Sequence, residues 1–196
     1  MRNPSLLSSA SALAGCVCGT ASIDGVLVLF HDNELMRIAG RPEAIHDLTY
    51  AELLQIDFGL PTGERFKGER IPTLEEFLRH FGGKDLHFAI EIKEHGVEEE
   101  TLRLIHQYCR QDHVIITTAI WDAITAVRAL DPDMRVGYLC KYLSDSLVES
   151  AKQAGVRSTA KGKNEESPGR SLLQTERFKF FPATGAQNVS AAFQFY

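Results

Sequence analysis

The chain is poor in the residues that would commit it to several common protein classes. Its four cysteines, Cys16, Cys18, Cys109 and Cys140, are too few for a disulfide scaffold, so a reducing, cytoplasmic setting is the expectation. No apolar run approaches the roughly 20 residues that span a bilayer as a helix. No G-x-G-x-x-G follows a strand-like run, which argues against a nucleotide-binding sheet. Basic residues do not predominate: 21 Lys and Arg against 26 Asp and Glu leave a net charge of −5, so nucleic acid is not an expected partner. An export signal is only sketched. Leu13-Ala14-Gly15-Cys16 has the form of a lipoprotein cleavage box, but one Arg and a serine-diluted apolar run precede it, where a secretory leader is more basic and more hydrophobic. Export as a lipoprotein is the alternative to cytoplasmic residence.

What is present is enough for one good core. Of the 196 residues, 44% are hydrophobic and 24% charged, ordinary proportions for a globular domain. The run Asp24-Gly25-Val26-Leu27-Val28-Leu29-Phe30-His31-Asp32 sets the terms. A turn dipeptide leads into five apolar residues, as in a strand buried on both faces, and a His-Asp pair closes the run. Leu86–Lys93 repeats the design, an apolar strand with Glu91 and Lys93 at its C-terminal end. Charge at the exit of buried parallel strands is where α/β folds place their chemistry.

Residues 1–21 read as an irregular leader, although Cys16-Val17-Cys18 could pair back across the Asp24-Gly25 turn. Thr49-x-x-Glu52 and Thr73-x-x-Glu76 are capping boxes that start helices. From residue 86 onward the pattern alternates. Strands are expected over 86–93, 113–120 and 134–140, and helices over 97–110, 121–130 and 146–154, the last ended by Gly155. Such alternation implies parallel strands with right-handed crossovers. Residues 156–196 show no further strand–helix unit and read as an irregular or disordered tail.

The segments DGVLVLFHD (24–32), HDLTYAE (46–52), GERIPTLEE (68–76) and AIEIK (89–93) together resemble the glycerophosphodiester phosphodiesterase family, over about residues 22–155. The resemblance implies an α/β fold, here an incomplete TIM-type (β/α) barrel with non-matching N- and C-terminal extensions. It implies hydrolysis of glycerophosphodiesters to glycerol 3-phosphate and an alcohol, with a divalent cation, magnesium or calcium. By position, His31 matches a catalytic histidine, Glu91 a metal-ligating glutamate and Lys93 a lysine near the phosphate. The family's His-Arg-Gly has no counterpart, and its Glu-x-Asp places fall on Cys16 and Cys18.

Phosphodiester hydrolysis needs charge neutralisation at the phosphoryl oxygens, a base and an acid. A hard cation wants several oxygen ligands, which soft thiolates do not replace. Impaired hydrolysis is therefore expected. The alternatives are a truncated non-catalytic relative that binds a phosphate ligand or is unproductive, and an unrelated α/β scaffold. Cys16, Cys18, His31 and Glu91 could also converge as a zinc set. Four or five usable strands would leave open sheet edges, so self-association is expected.

Overall fold

The computed structural model describes residues 15–32, 34–140, 144–156 and 158–161. Its strands are β1 (Gly15–Ala21), β2 (Leu27–Leu29), β3 (Phe88–Ile92), β4 (Val114–Thr118), β5 (Val136–Cys140) and β6 (Ser158–Lys161), in the order β2-β1-β3-β4-β5-β6. The helices are α1 (Met36–Ala39), α2 (Tyr50–Leu53), α3 (Leu74–Phe81), α4 (Glu98–Tyr108), α5 (Trp121–Leu130) and α6 (Asp145–Gln153). Among the described residues β1 and β3 to β6 run parallel, and β2 is antiparallel to β1. Among the described residues the sheet is an open wall of an incomplete TIM-type (β/α) barrel.

Three expectations are corrected. Residues 15–21 are not part of an irregular leader: they form β1, in register with β3 from Gly15↔Phe88 to Gly19↔Ile92. Small residues gave no apolar period to read, yet the strand is held by pairing on both sides. The run ending in His31-Asp32 is not a member of the parallel set. The Ser22–Val26 turn reverses the chain at once, with Gly25 at φ +82°, and so short a connection can only join antiparallel strands. Lastly, residues 158–161, assigned to the tail, form β6 beside β5. Residues 1–14 and 162–196, with most of the leader and tail, lie outside the described residues.

The helix signals act locally as the sequence implied. Thr49 Oγ1 accepts from Glu52 N at 3.3 Å and Glu52 Oε2 accepts from Thr49 N at 2.8 Å. At α3 the reciprocal bonds between Thr73 and Glu76 are 3.0 and 3.1 Å. Gly155 ends α6 at φ +67°, and Arg128 donates to its carbonyl at 2.9 Å. A Cβ on Gly155 would stand 2.2 Å from the guanidinium, which would have to shift, and the positive φ strains any L side chain there.

Two apolar clusters result. The larger lies between the sheet and α3–α6, with Val17, Ile90, Ile92, Ile116, Leu78, Leu102, Ile105 and Val127 buried in it. Cys109 packs against it half-buried, and burial pushes its thiol up to about 11. The smaller joins Val28 and Phe30 to Leu35, Ile45, Leu53, Phe58 and Ile71 from the long excursion between β2 and α3. The two clusters explain how β2, at the end of the sheet, is buried on both faces. Its outer edge is covered as well, since Leu29 N donates to the Pro72 carbonyl at 2.9 Å.

At the opposite end of the strands from their exits, His87 and His113 stack with ring centroids 4.3 Å apart. His113 is buried, with Asp85 and Asp112 carboxylates each 3.8 Å from its Nε2.

Two measurements test this description. Ile105→Ala, which empties a fully buried position, is expected to lower stability by about 2–5 kcal/mol in chemical denaturation. His87 is held below its ordinary value of 6.5, first by burial and then by the charges of His113 and Arg135, against the pull of Asp85 and Asp112. With a folded-state pKa below the unfolded one, the unfolded chain binds the proton more readily. The stability contribution is thus full above about pH 6.5 and declines as the pH falls toward the folded value. Histidine titration by NMR should show this lowered midpoint for His87, and a His87→Gln variant should have a flatter stability profile between pH 7 and 5.

Candidate active site

The candidate site is built on the sheet face that the helices leave uncovered. Phe88, Ile90 and Ile92 of β3 are buried and Ala89 and Glu91 less so. This alternation turns Glu91, and Lys93 beyond it, away from the helices. On β1, Val17 joins the core while Cys18 shares the face of its register partner Glu91. On the other side, Thr117 of β4 is the register partner of Glu91.

These positions are linked by specific contacts. Cys18 Sγ donates to Glu91 Oε2 at 3.2 Å. Lys93 Nζ donates to the His31 carbonyl oxygen, which ties the β3 exit to the end of β2 with β1 between them. Phe30 N donates to the Cys18 carbonyl at 3.1 Å, so His31 leaves β2 close to the level of Cys18 and Glu91. The three sequence-predicted residues, His31, Glu91 and Lys93, are therefore gathered at one region of the sheet. The antiparallel course of β2 does not part them, because that strand spans only three residues.

Sequence reading gave no role to several neighbours. His31 is exposed, with its side chain 66% accessible, and its Nδ1 lies 2.9 Å from Asp32 Oδ1. Asp32 in turn accepts from Arg37 Nε at 2.5 Å. The Arg37 guanidinium holds the Asp32 carboxyl below its usual range, against the opposing effect of partial burial, and His31 adds to the lowering. Asp32 thus favours its carboxylate form and holds the imidazole through Nδ1. Glu94 takes the Thr20 hydroxyl at 2.7 Å and the Ala21 amide, clasping the β1 exit to that of β3. Thr117 Oγ1 is buried without a hydrogen-bond partner among the described residues. Register alone identifies Thr117, and no local motif points to it.

The donors do not fit a magnesium or calcium ion. At the level of Glu91 the described side chains supply one carboxylate, a thiol already bonded to it and a neutral hydroxyl. Hard cations require six or more oxygen ligands and compensating negative charge. Among the described residues no group of three His, Cys, Asp or Glu side chains is assembled to hold a metal. Of the zinc set, the Cys16 side chain lies outside those described.

Fold and site define a β/α-barrel protein with a histidine–aspartate pair on the chain that Lys93 reaches from the β3 exit. The chain belongs to the Glycerophosphoryl diester phosphodiesterase family, whose model matches residues 20–179. It is 35% identical over 121 residues to a glycerophosphodiester phosphodiesterase of Caldanaerobacter subterraneus subsp. tengcongensis, covering 59% of this chain and 50% of that protein. A glycerophosphodiester phosphodiesterase of Bacillus subtilis is 26% identical over 156 residues, 68% of this chain and 53% of that one. The structure of an Oleispira antarctica phosphodiesterase in complex with the product sn-glycerol-3-phosphate superposes with a TM-score of 0.66 at 27% identity, covering 74% of this chain and 61% of the other. The Thermotoga maritima glycerophosphodiester phosphodiesterase, at 24% identity and a TM-score of 0.56 over 74% and 58% of the two chains, shares the fold. The chain spans about half the length of the curated relatives it matches. Family membership removes the unrelated-scaffold reading and extends the match past residue 155, where the resemblance in sequence had ended.

The clasp at Glu94 can be tested directly. Glu94→Ala leaves the Ala21 amide and Thr20 hydroxyl without their acceptor and is expected to cost about 1–3 kcal/mol of stability, read from the denaturant midpoint, with Glu94→Gln losing less.

Proposed function

We propose that this chain is an impaired glycerophosphodiester phosphodiesterase: it engages glycerophosphodiesters at the β3 exit and hydrolyses them slowly. The observation that carries this reading is the bond from Lys93 to the His31 carbonyl, which brings the cation at the β3 exit against the backbone that bears the imidazole. Family membership supports the substrate class. The reaction replaces the phosphorus–alcohol bond with a phosphorus–oxygen bond from water, leaving glycerol 3-phosphate and the alcohol. His31, held through Nδ1 by Asp32, exchanges a proton at Nε2, taking it from the attacking water or giving it to the departing alcohol oxygen. Lys93 places positive charge beside the phosphoryl oxygens, at the expense of its bond to the His31 carbonyl. The residues do not fit the magnesium or calcium ion implied by the resemblance, so no step is assigned to one.

A second reading, a non-catalytic binder of the phosphate ligand, is favoured by the scarcity of carboxylates around Glu91. Incubation of the purified chain with glycerophosphocholine separates the two. On the first reading glycerol 3-phosphate is released slowly, His31→Ala lowers the rate by about 10²-fold, within the range of general acid–base contributions, and added magnesium or calcium changes it little. Release equal in wild type and His31→Ala, together with saturable glycerol 3-phosphate binding that Lys93→Met abolishes, establishes the binder instead.

A further inference from the structure

Glu91 stands in the middle of a row that crosses three parallel strands at one level. Cys18 flanks it on β1 and Thr117 on β4. A carboxylate on a sheet face needs a partner for its charge and lone pairs. Two kinds of partner are chemically available at such a place: a cation bridging neighbouring oxygens, or a protein hydrogen-bond donor. The Cys18 thiol is a donor, 3.2 Å from Glu91 Oε2, and as a donor it carries its proton. A hard cation arriving at Glu91 would have to displace that bond and would find soft sulfur where it prefers charged oxygen.

We propose that the Cys18 thiol takes the place of a divalent cation as the standing partner of Glu91, so that neither magnesium nor calcium is held at this row and residue 18 alone decides its cation affinity. The geometry gives the converse as well. An aspartate at 18 would set two carboxylates at adjacent register positions, where like charges repel. A cation relieves that repulsion, and the unpartnered Thr117 hydroxyl offers a third oxygen beside it. One substitution thus converts a hydrogen-bonded pair into an oxygen-rich cleft. This inference does not depend on turnover, since it concerns equilibrium binding of an ion.

The test is isothermal titration of the full chain with calcium and, separately, with magnesium. Wild type is expected to show no saturable binding at millimolar concentrations. Cys18→Asp is expected to bind calcium with a dissociation constant of about 1 mM, at the weak end for carboxylate sites. Cys18→Ser, which keeps a neutral donor toward Glu91, should behave like wild type. Should Cys18→Asp fail to fold by circular dichroism, Cys18→Asn carries the test with its neutral oxygen, and saturable calcium binding that wild type lacks is expected. Saturable calcium or magnesium binding by wild type overturns the proposal, as does the absence of any gain in the folded aspartate or asparagine variant. Zinc bound by wild type and lost in Cys18→Ala also overturns it, because the sulfur would then be a metal ligand. Slow or absent hydrolysis of glycerophosphocholine leaves all of these outcomes unchanged.

Discussion

The parallel pairing of β1 with β3 is the constraint on which the remaining structure depends. It sets Cys18 opposite Glu91, it lets Lys93 reach the chain beyond β1, and it fixes which side chains of β3 face the helices. A slip of one residue would exchange the two faces, turning Ile90 and Ile92 outward and Glu91 into the apolar cluster. That slip is opposed from both sides. Val17, Ile90 and Ile92 bury apolar surface against the helices, and Glu94 takes the hydroxyl of Thr20 and the amide of Ala21 at the far end of the pairing.

The second constraint is the cover over β2. A three-residue strand at the end of a sheet has little stability of its own. Here it is closed in by Pro72 and Thr73 along its edge and by the smaller apolar cluster on one face. The His31-Asp32 pair therefore begins from a fixed backbone, although its side chains are exposed or only partly covered. Arg37, in the short helix that follows, completes the chain of contacts from guanidinium to carboxylate to imidazole.

Much of the β/α order was legible. The capping boxes at Thr49 and Thr73, the helix over 121–130 and the helix end at Gly155 all rest on interactions within a few residues, and such interactions are written locally. The course of Val26–Phe30 was misjudged because an unbroken apolar run signals burial on both faces without saying what supplies it. In this chain the second face is covered by residues 35–71, not by a helix of the barrel. The strand at 15–21 was under-read for the reverse reason: Gly, Cys, Thr and Ala contribute backbone pairing and little apolar pattern. His31, Glu91 and Lys93 stand out in the sequence because charge stands at the ends of apolar runs. Glu94 and Thr117 escape a reading of spacing because their neighbours lie on other strands, and Arg37 because it meets Asp32 only once the chain turns after β2.

What the sequence by itself determined is the inventory and its punctuation: which segments are apolar, where helices start and stop, and that one histidine, one glutamate and one lysine stand at strand exits. Those properties follow from side-chain chemistry and short-range hydrogen bonding. The tertiary structure decided direction, register and company. It turned β2 antiparallel, set a thiol against the Glu91 carboxylate and left the Thr117 hydroxyl buried beside it. Neighbours across a sheet are chosen by the packing of distant segments, and no spacing along the chain records which two will meet.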